Sequence, residues 1–195
     1  MNEAEYEAAG LVETWAEATL RQLQRYRAAW ERQRTAWKQF DLGVDGAPDQ
    51  ETRSRLFREL WSESHMLVWA AHQLELWLAR WAKERGEQPP PVDEYLKVIR
   101  NVLEHLNEAE FRHGRAVPGR EAEDPAKLGK WNKPKWSGLI KLPGMYLSTA
   151  ITDDGQLFDL LQPERLEQMA SAALSRINSE QLDRAGDHWF DLREE

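Results

Sequence analysis

Phe57, Leu60, Ser64, Leu67, Ala71, Leu74, Leu78 and Trp81 follow one another at alternating steps of three and four residues. The alternation holds for four heptads without a proline and keeps one side of an α-helix apolar along its whole length. It predicts a long helix over about residues 50–85, stopped by Gly86 and Pro89-Pro90-Pro91. A stripe of that length is buried only against other helices, so the chain is expected to be a bundle.

The remaining sequence supplies the partners. Leu23, Tyr26, Trp30, Trp37 and Phe40 recur at helical spacing, with Gln33 interrupting, and predict a first helix over about 3–40. Asp41–Asp49 holds two glycines and a proline and reads as a loop. A third helix is expected from Asp93, a plausible N-cap, through a stripe of Leu96, Ile99, Val102, Leu103 and Leu106 that fades after Phe111. Residues 112–137 read as a basic loop. Apolar runs around Asp153-Asp154-Gly155 suggest a small β-hairpin near 139–161. Pro163 opens a fourth helix with Leu166, Met169, Ala170, Ala173, Leu174 and Ile177 on its inner face. The expected fold is therefore all-α: one domain, an antiparallel bundle with its helical core over about 3–112 and 163–185, plus a small hairpin insertion. Trp61, Trp69 and Trp77 fall outside the a/d stripe of the long helix, so they face other helices or a second subunit.

Ten tryptophans among 195 residues provide much of the apolar area for such a core. Net charge is −8, which repels nucleic acid and acidic membranes unless a local basic patch intervenes. With no cysteine there is no disulfide and no thiolate chemistry, as fits a reducing cytoplasm. The acidic start Met1-Asn2-Glu3-Ala4-Glu5 lacks the basic and apolar regions of a signal peptide, and no apolar run approaches a membrane span. A cytoplasmic chain with no membrane contact is expected. A glycine-rich phosphate loop, strand–helix alternation and a serine-hydrolase elbow are all missing, so a P-loop, Rossmann or serine-hydrolase site is not expected; the expected cofactor is none.

The chemistry concentrates in Arg100-Asn101-Val102-Leu103-Glu104-His105. On a helical wheel with Ile99 at zero, Arg100 and Glu104 fall at about +100° and +140°, and Asn101 and His105 at about −160° and −120°. Each pair is an i, i+4 neighbour, and all four lie away from the apolar stripe. Histidine titrates near neutrality and can act as general base or acid. Arginine can grip a phosphate with two parallel hydrogen bonds, and asparagine can orient an imidazole. Together they suit metal-independent RNA cleavage, in which a base activates the ribose 2′-hydroxyl and the arginine stabilises charge on the phosphate. One helix supplies one histidine, and a symmetric dimer would supply both acid and base. The plainer alternative is an Arg100–Glu104 ion pair beside a half-exposed histidine.

The six residues resemble the signature of the HEPN superfamily: an arginine, a polar residue, three variable residues and a histidine. The context is similar too, since the motif follows a long tryptophan- and leucine-rich helix and a proline loop. The likeness covers about residues 50–112 in arrangement and six residues in motif. It implies a small all-α domain that dimerises and sets two motifs in one cleft, and many such proteins are metal-independent ribonucleases of toxin–antitoxin, phage-defence and RNA-processing systems. It further implies His105 as acid/base, Arg100 on the phosphate and Asn101 as the orienter. Partners would be an RNA substrate and an antitoxin or defence-system protein. Some members keep the fold without nuclease activity and serve in dimerisation or partner binding.

Other candidates surround this one. His65 and His72 lie seven apart on one side of the long helix, and Glu75 follows His72 at i+3. With His105 the two histidines could form a three-histidine metal site. His65 alone reads as a bundle-edge residue, and His72 and Glu75 as possible supports for the Arg100–His105 site, alongside Glu104. From Arg112 to Lys141 the chain carries about +5, through Arg112, Arg115, Arg120, Lys127, Lys130, Lys133, Lys135 and Lys141 against Glu121, Glu123 and Asp124. Trp131 and Trp136 interleave with these bases, as on a single-stranded RNA surface, where charge serves the backbone and rings serve the bases. The alternative is a solvated loop with two tryptophans tucked onto the bundle. Arg21, Arg25, Arg27, Arg32 and Arg34 of the first helix read as a solvated face.

Overall fold

The structure is a computed structural model that describes residues 2–118, 135–149 and 154–191, with 135–137 and 183–191 described as backbone alone. Four α-helices carry the architecture: α1 (Glu3–Asp41), α2 (Gln50–Glu84), α3 (Leu96–Glu104) and α4 (Pro163–Asp191). A three-stranded antiparallel sheet, ordered β1 (Glu110–Arg112), β2 (Arg115–Val117), β3 (Leu147–Ser148), sits beside α3. No described helix is long and apolar enough to cross a membrane.

The two long helices start at side-chain caps. Asn2 Oδ1 accepts from the Glu5 amide and Asp49 Oδ1 from the Thr52 amide, each at 2.8 Å, which satisfies an amide the helix cannot. At the far end of α2, Gly86 takes φ +68°, the left-handed turn that ends a helix. The loop 42–49 folds α2 back antiparallel to α1, and Arg32–Glu59 and Arg85–Glu5 ion pairs mark the two ends of the hairpin. α4 runs antiparallel to α1, from Glu164 and Glu167 beside Arg27 to Ile177 beside Ala8 and Val12.

Most of the α2 stripe is buried as its spacing requires, while Phe57 and Leu78 are only half-buried. Leu60, Leu67, Ala71, Leu74 and Trp81 are all at most 1% exposed. Each fully buried leucine contributes about 1.5–3 kcal/mol against an exposed one. The facing side of α1 is built on small residues, Ala8, Val12, Ala16, Thr19, Ala29 and Ala36, which let the two helices approach closely. Here the stripe differs from the expected one. Gln33 lies in the buried face, while Trp37 and Phe40 stand 46% and 47% exposed. The heptad passes through Tyr26, Ala29, Gln33 and Ala36; Trp37 falls one position beside it, and Phe40 continues it at the helix end, where it is exposed.

Two other expectations are corrected. The expected hairpin over 139–161 is not found among the described residues: Lys135–Lys141 and Pro143–Met145 form 3-10 turns, Leu147–Ser148 is the one described strand there, and 150–153 lie outside the described residues. Pro143-Gly144 breaks the apolar run, and Gly138 lies so close to α3 that an added Cβ would stand 2.8 Å from Val102 Cγ2. Beyond it, an isolated bridge between Leu157 and Leu161 closes a tight turn. The hairpin is instead β1–β2, at the start of the expected basic loop. Its two-residue turn puts His113 at φ +50° and Gly114 at φ +71°, the mirror-image turn that matches strand twist. The other correction concerns α3, which starts at Leu96 and not at Asp93. Asp93 Oδ1 accepts from the Tyr95 amide, a turn that precedes the helix.

Candidate functional site

α3 presents Arg100, Asn101 and Glu104, and its buried anchors are Leu96, Ile99 and Val102. Ile99 is fully buried, which fixes the helix rotation and turns Arg100 toward the outer surface of α2. There the guanidinium lies over the Trp69 ring, 5.0 Å from its centroid. Its Nη1 donates to Asn101 Oδ1 at 3.0 Å, and its Nη2 pairs with Glu104 at 2.6 Å. Arg100 Nε is buried and has no hydrogen-bond partner among the described residues. The Arg100 side chain is held on three sides while 26% of its surface stays exposed.

His105 is not inside the helix. α3 ends at Glu104, and His105 caps it with φ −116° and ψ 19°. A 3-10 turn over Leu106–Glu108 follows before β1. The helix stops early because the chain must turn to enter the sheet. The His105 amide bonds to the Val102 carbonyl at 3.1 Å, a tighter 3-10 bond in place of the α-helical one to Asn101. Its Nδ1 stands 3.8 Å from Glu108 Oε1, and the imidazole is 37% exposed. The site therefore holds an oriented arginine and an accessible histidine at one helix end, each beside a carboxylate. Trp69 and Glu108 were missed as site residues. Trp69 was legible as a ring outside the α2 stripe, and Glu108 as an i+3 acid after His105.

His72 and Glu75 are buried, at 6% and 7% exposure. His72 Nδ1 is 3.8 Å from Glu75 Oε2, and Glu75 Oε1 accepts from the Asp93 amide at 2.7 Å. Asp93 in turn pairs with Arg165 of α4 at 3.2 Å. The pair thus fastens the loop that enters α3. His65 lies edge-on to Trp61 and Phe158, its Nδ1 2.8 Å from the Trp61 carbonyl. Burial holds its pKa below the usual value, against the opposing pull of that hydrogen bond. Among the described residues no group of three or more histidine and carboxylate side chains is placed to hold a metal, so the three-histidine alternative finds no site there.

The basic segment divides. Arg112 is paired with Glu110 on the same strand, and Arg115 lies over the Tyr146 ring at 4.2 Å. Lys127, Lys130, Trp131 and Lys133 lie outside the described residues, and of Lys135 and Trp136 only the backbone is described. No family model, no curated protein and no solved structure matches the chain.

Proposed function

We propose that this protein is a metal-independent endoribonuclease of the HEPN kind, acting as a symmetric dimer in a toxin or phage-defence setting, with an antitoxin or defence-system protein as partner. The observation that supports it is the arrangement at the C-terminal end of α3. Arg100 is oriented by Trp69, Asn101 and Glu104 and still reaches the surface, and His105 stands accessible five residues along. A preoriented guanidinium loses little freedom on gripping a phosphate. In this reading His105 takes the proton of the ribose 2′-hydroxyl as its oxygen attacks the neighbouring phosphorus. The bond to the 5′-oxygen breaks, and that oxygen is protonated by the second copy's histidine. The products carry a 2′,3′-cyclic phosphate and a 5′-hydroxyl. Arg100 stabilises the charge that builds on the phosphoryl oxygens.

A second reading is a non-catalytic helical protein that dimerises or holds a partner. The Arg100–Glu104 pair at 2.6 Å favours it, because that carboxylate already occupies the guanidinium. One experiment separates the two. Wild type and His105→Ala are incubated with a mixed RNA pool in EDTA, and cleavage and product ends are examined. Cleavage by wild type alone, with cyclic phosphate ends, is the expected result. If neither protein cuts while both are folded, the second reading holds. If His105→Ala does not fold, the histidine is structural and the enzymatic reading loses its base.

A further inference from the structure

At the tip of the α1–α2 hairpin, far along α1 from its contacts with α4, lies an open cavity of about 350 Å³ lined by Trp37, Gln50, Arg53, Ser54, Phe57 and Arg58. Two aromatic rings, two guanidiniums, an amide and a hydroxyl face it, and no carboxylate does. Trp37 is 46% exposed although it is the kind of side chain a bundle buries. Phe57 stacks one way on Trp61, with ring centroids 6.2 Å apart and planes 12° from parallel. The Arg53 guanidinium carbon lies 3.5 Å from the Phe40 ring centroid and 5.0 Å from that of Trp37, which places its charge among the rings. Arg58 forms no ion pair among the described residues, in a chain with eight more acids than bases.

We propose that this cavity binds a nucleoside phosphate, with the base against Trp37 and Phe57 and the phosphate on Arg53 and Arg58. Stacking on rings recognises any base through its π-face, and guanidiniums match phosphate oxygens with paired hydrogen bonds. Gln50 and Ser54 supply a donor and an acceptor for a base edge or ribose hydroxyl. The volume suits one nucleotide. A free nucleotide and a unit of a single RNA strand share this chemistry. The site stands whether or not Arg100 and His105 cut RNA.

Isothermal titration calorimetry on His105→Ala, which leaves an RNA ligand intact under the enzymatic reading, tests it with AMP, UMP, adenosine, inorganic phosphate and decauridylate. AMP is expected to bind, and Trp37→Ala to weaken it about tenfold, the loss of one stacked base. Trp37→Phe keeps a ring and most of the affinity. Arg58→Gln weakens AMP about fivefold and leaves adenosine unchanged. Similar affinities for AMP and decauridylate identify a free-nucleotide site. A much tighter, steeply salt-dependent decauridylate identifies a strand contact. No saturable binding of AMP or decauridylate at millimolar concentration overturns the proposal, as does equal binding by wild-type-tip, Trp37→Ala and Arg58→Gln proteins of unchanged unfolding midpoint. Binding of N-acetylphenylalanine as tight as AMP also overturns it, and makes the tip a site for carboxylate-bearing peptides.

Discussion

Glu104 is where the two functional readings part. Its carboxylate sits 2.6 Å from Arg100 Nη2, with 36% of its side chain exposed against 26% for the arginine. A phosphate arriving at Arg100 must displace or share that partner. An i, i+4 ion pair on a helix surface contributes about 0.3–0.5 kcal/mol, which the phosphate forfeits. Glu104 also repels the phosphate directly: two unit charges on the order of 6 Å apart in a water-like medium interact by about 0.7 kcal/mol. Glu104→Gln removes both penalties, so RNA affinity should rise by about 1 kcal/mol, roughly fivefold. The gain shrinks as salt increases, because the repulsion is screened within about 8 Å at physiological ionic strength. Stability should barely move. The lost ion pair is offset by removing a negative charge from the last turn of α3, where the helix dipole disfavours it by about 0.3–1 kcal/mol. Fluorescence anisotropy of a short labelled RNA, measured on His105→Ala with and without Glu104→Gln, reads the difference. Equal or weaker binding by the double variant, with an unchanged urea midpoint, would refute the competition and leave Arg100 a structural residue.

Three further outcomes are expected. Glu75→Ala should cost about 2–4 kcal/mol in urea unfolding, since it opens a cavity and strands the Asp93 amide, whereas Glu75→Gln keeps an acceptor and should cost about 1 kcal/mol; equal losses in the two variants would mean that the hydrogen bond to Asp93 contributes nothing. Gly138→Ala forces a methyl against Val102 of α3 and should cost about 1–2 kcal/mol, shifting the amide resonances of Val98–Glu104 in NMR spectra; an unperturbed α3 would contradict the close packing. His65 is held below its ordinary pKa by burial, so the folded state favours the neutral ring. Its contribution is complete above about pH 6.5 and is lost as pH falls through the lower folded value. His65→Gln should flatten that slope between pH 7 and pH 5, and a slope identical to wild type would place the acid sensitivity elsewhere.

The helices were legible because their determinants are local. The a/d run of α2, the Asp49 cap and Gly86 all act within a turn or two, and the observed Gln50–Glu84 follows from them. The β structure was not, because its pairing joins residues distant in the chain. Ala116 faces Leu147 across the sheet, and nothing near either residue announces the other. The apolar stretch Leu139–Lys141 has the composition of a strand but lies in a 3-10 turn, and Gly138 beside it sits so close to α3 that a Cβ would meet Val102. The same long-range demand shortened α3. Had the helix continued, His105 would have stood over Asn101, as the wheel implies. The turn into β1 puts it beside Glu108 instead.

That change alters what the motif can do alone. Arg100 faces Glu104 and His105 faces Glu108, so within one copy each base has an acid of its own and the α3 end carries no excess positive charge. A phosphodiester entering such a site meets as much repulsion as attraction unless further cations converge on it. Arg112 is spent on Glu110, and Arg115 lies along Tyr146. In the proposed enzyme the missing charge must therefore come from outside this end of α3, and a second copy is one source of it. A second copy also supplies the second histidine that in-line cleavage uses. In the proposed enzyme it is therefore the second histidine, more than the acids beside Arg100 and His105, that argues for a pair of copies as the catalytic unit.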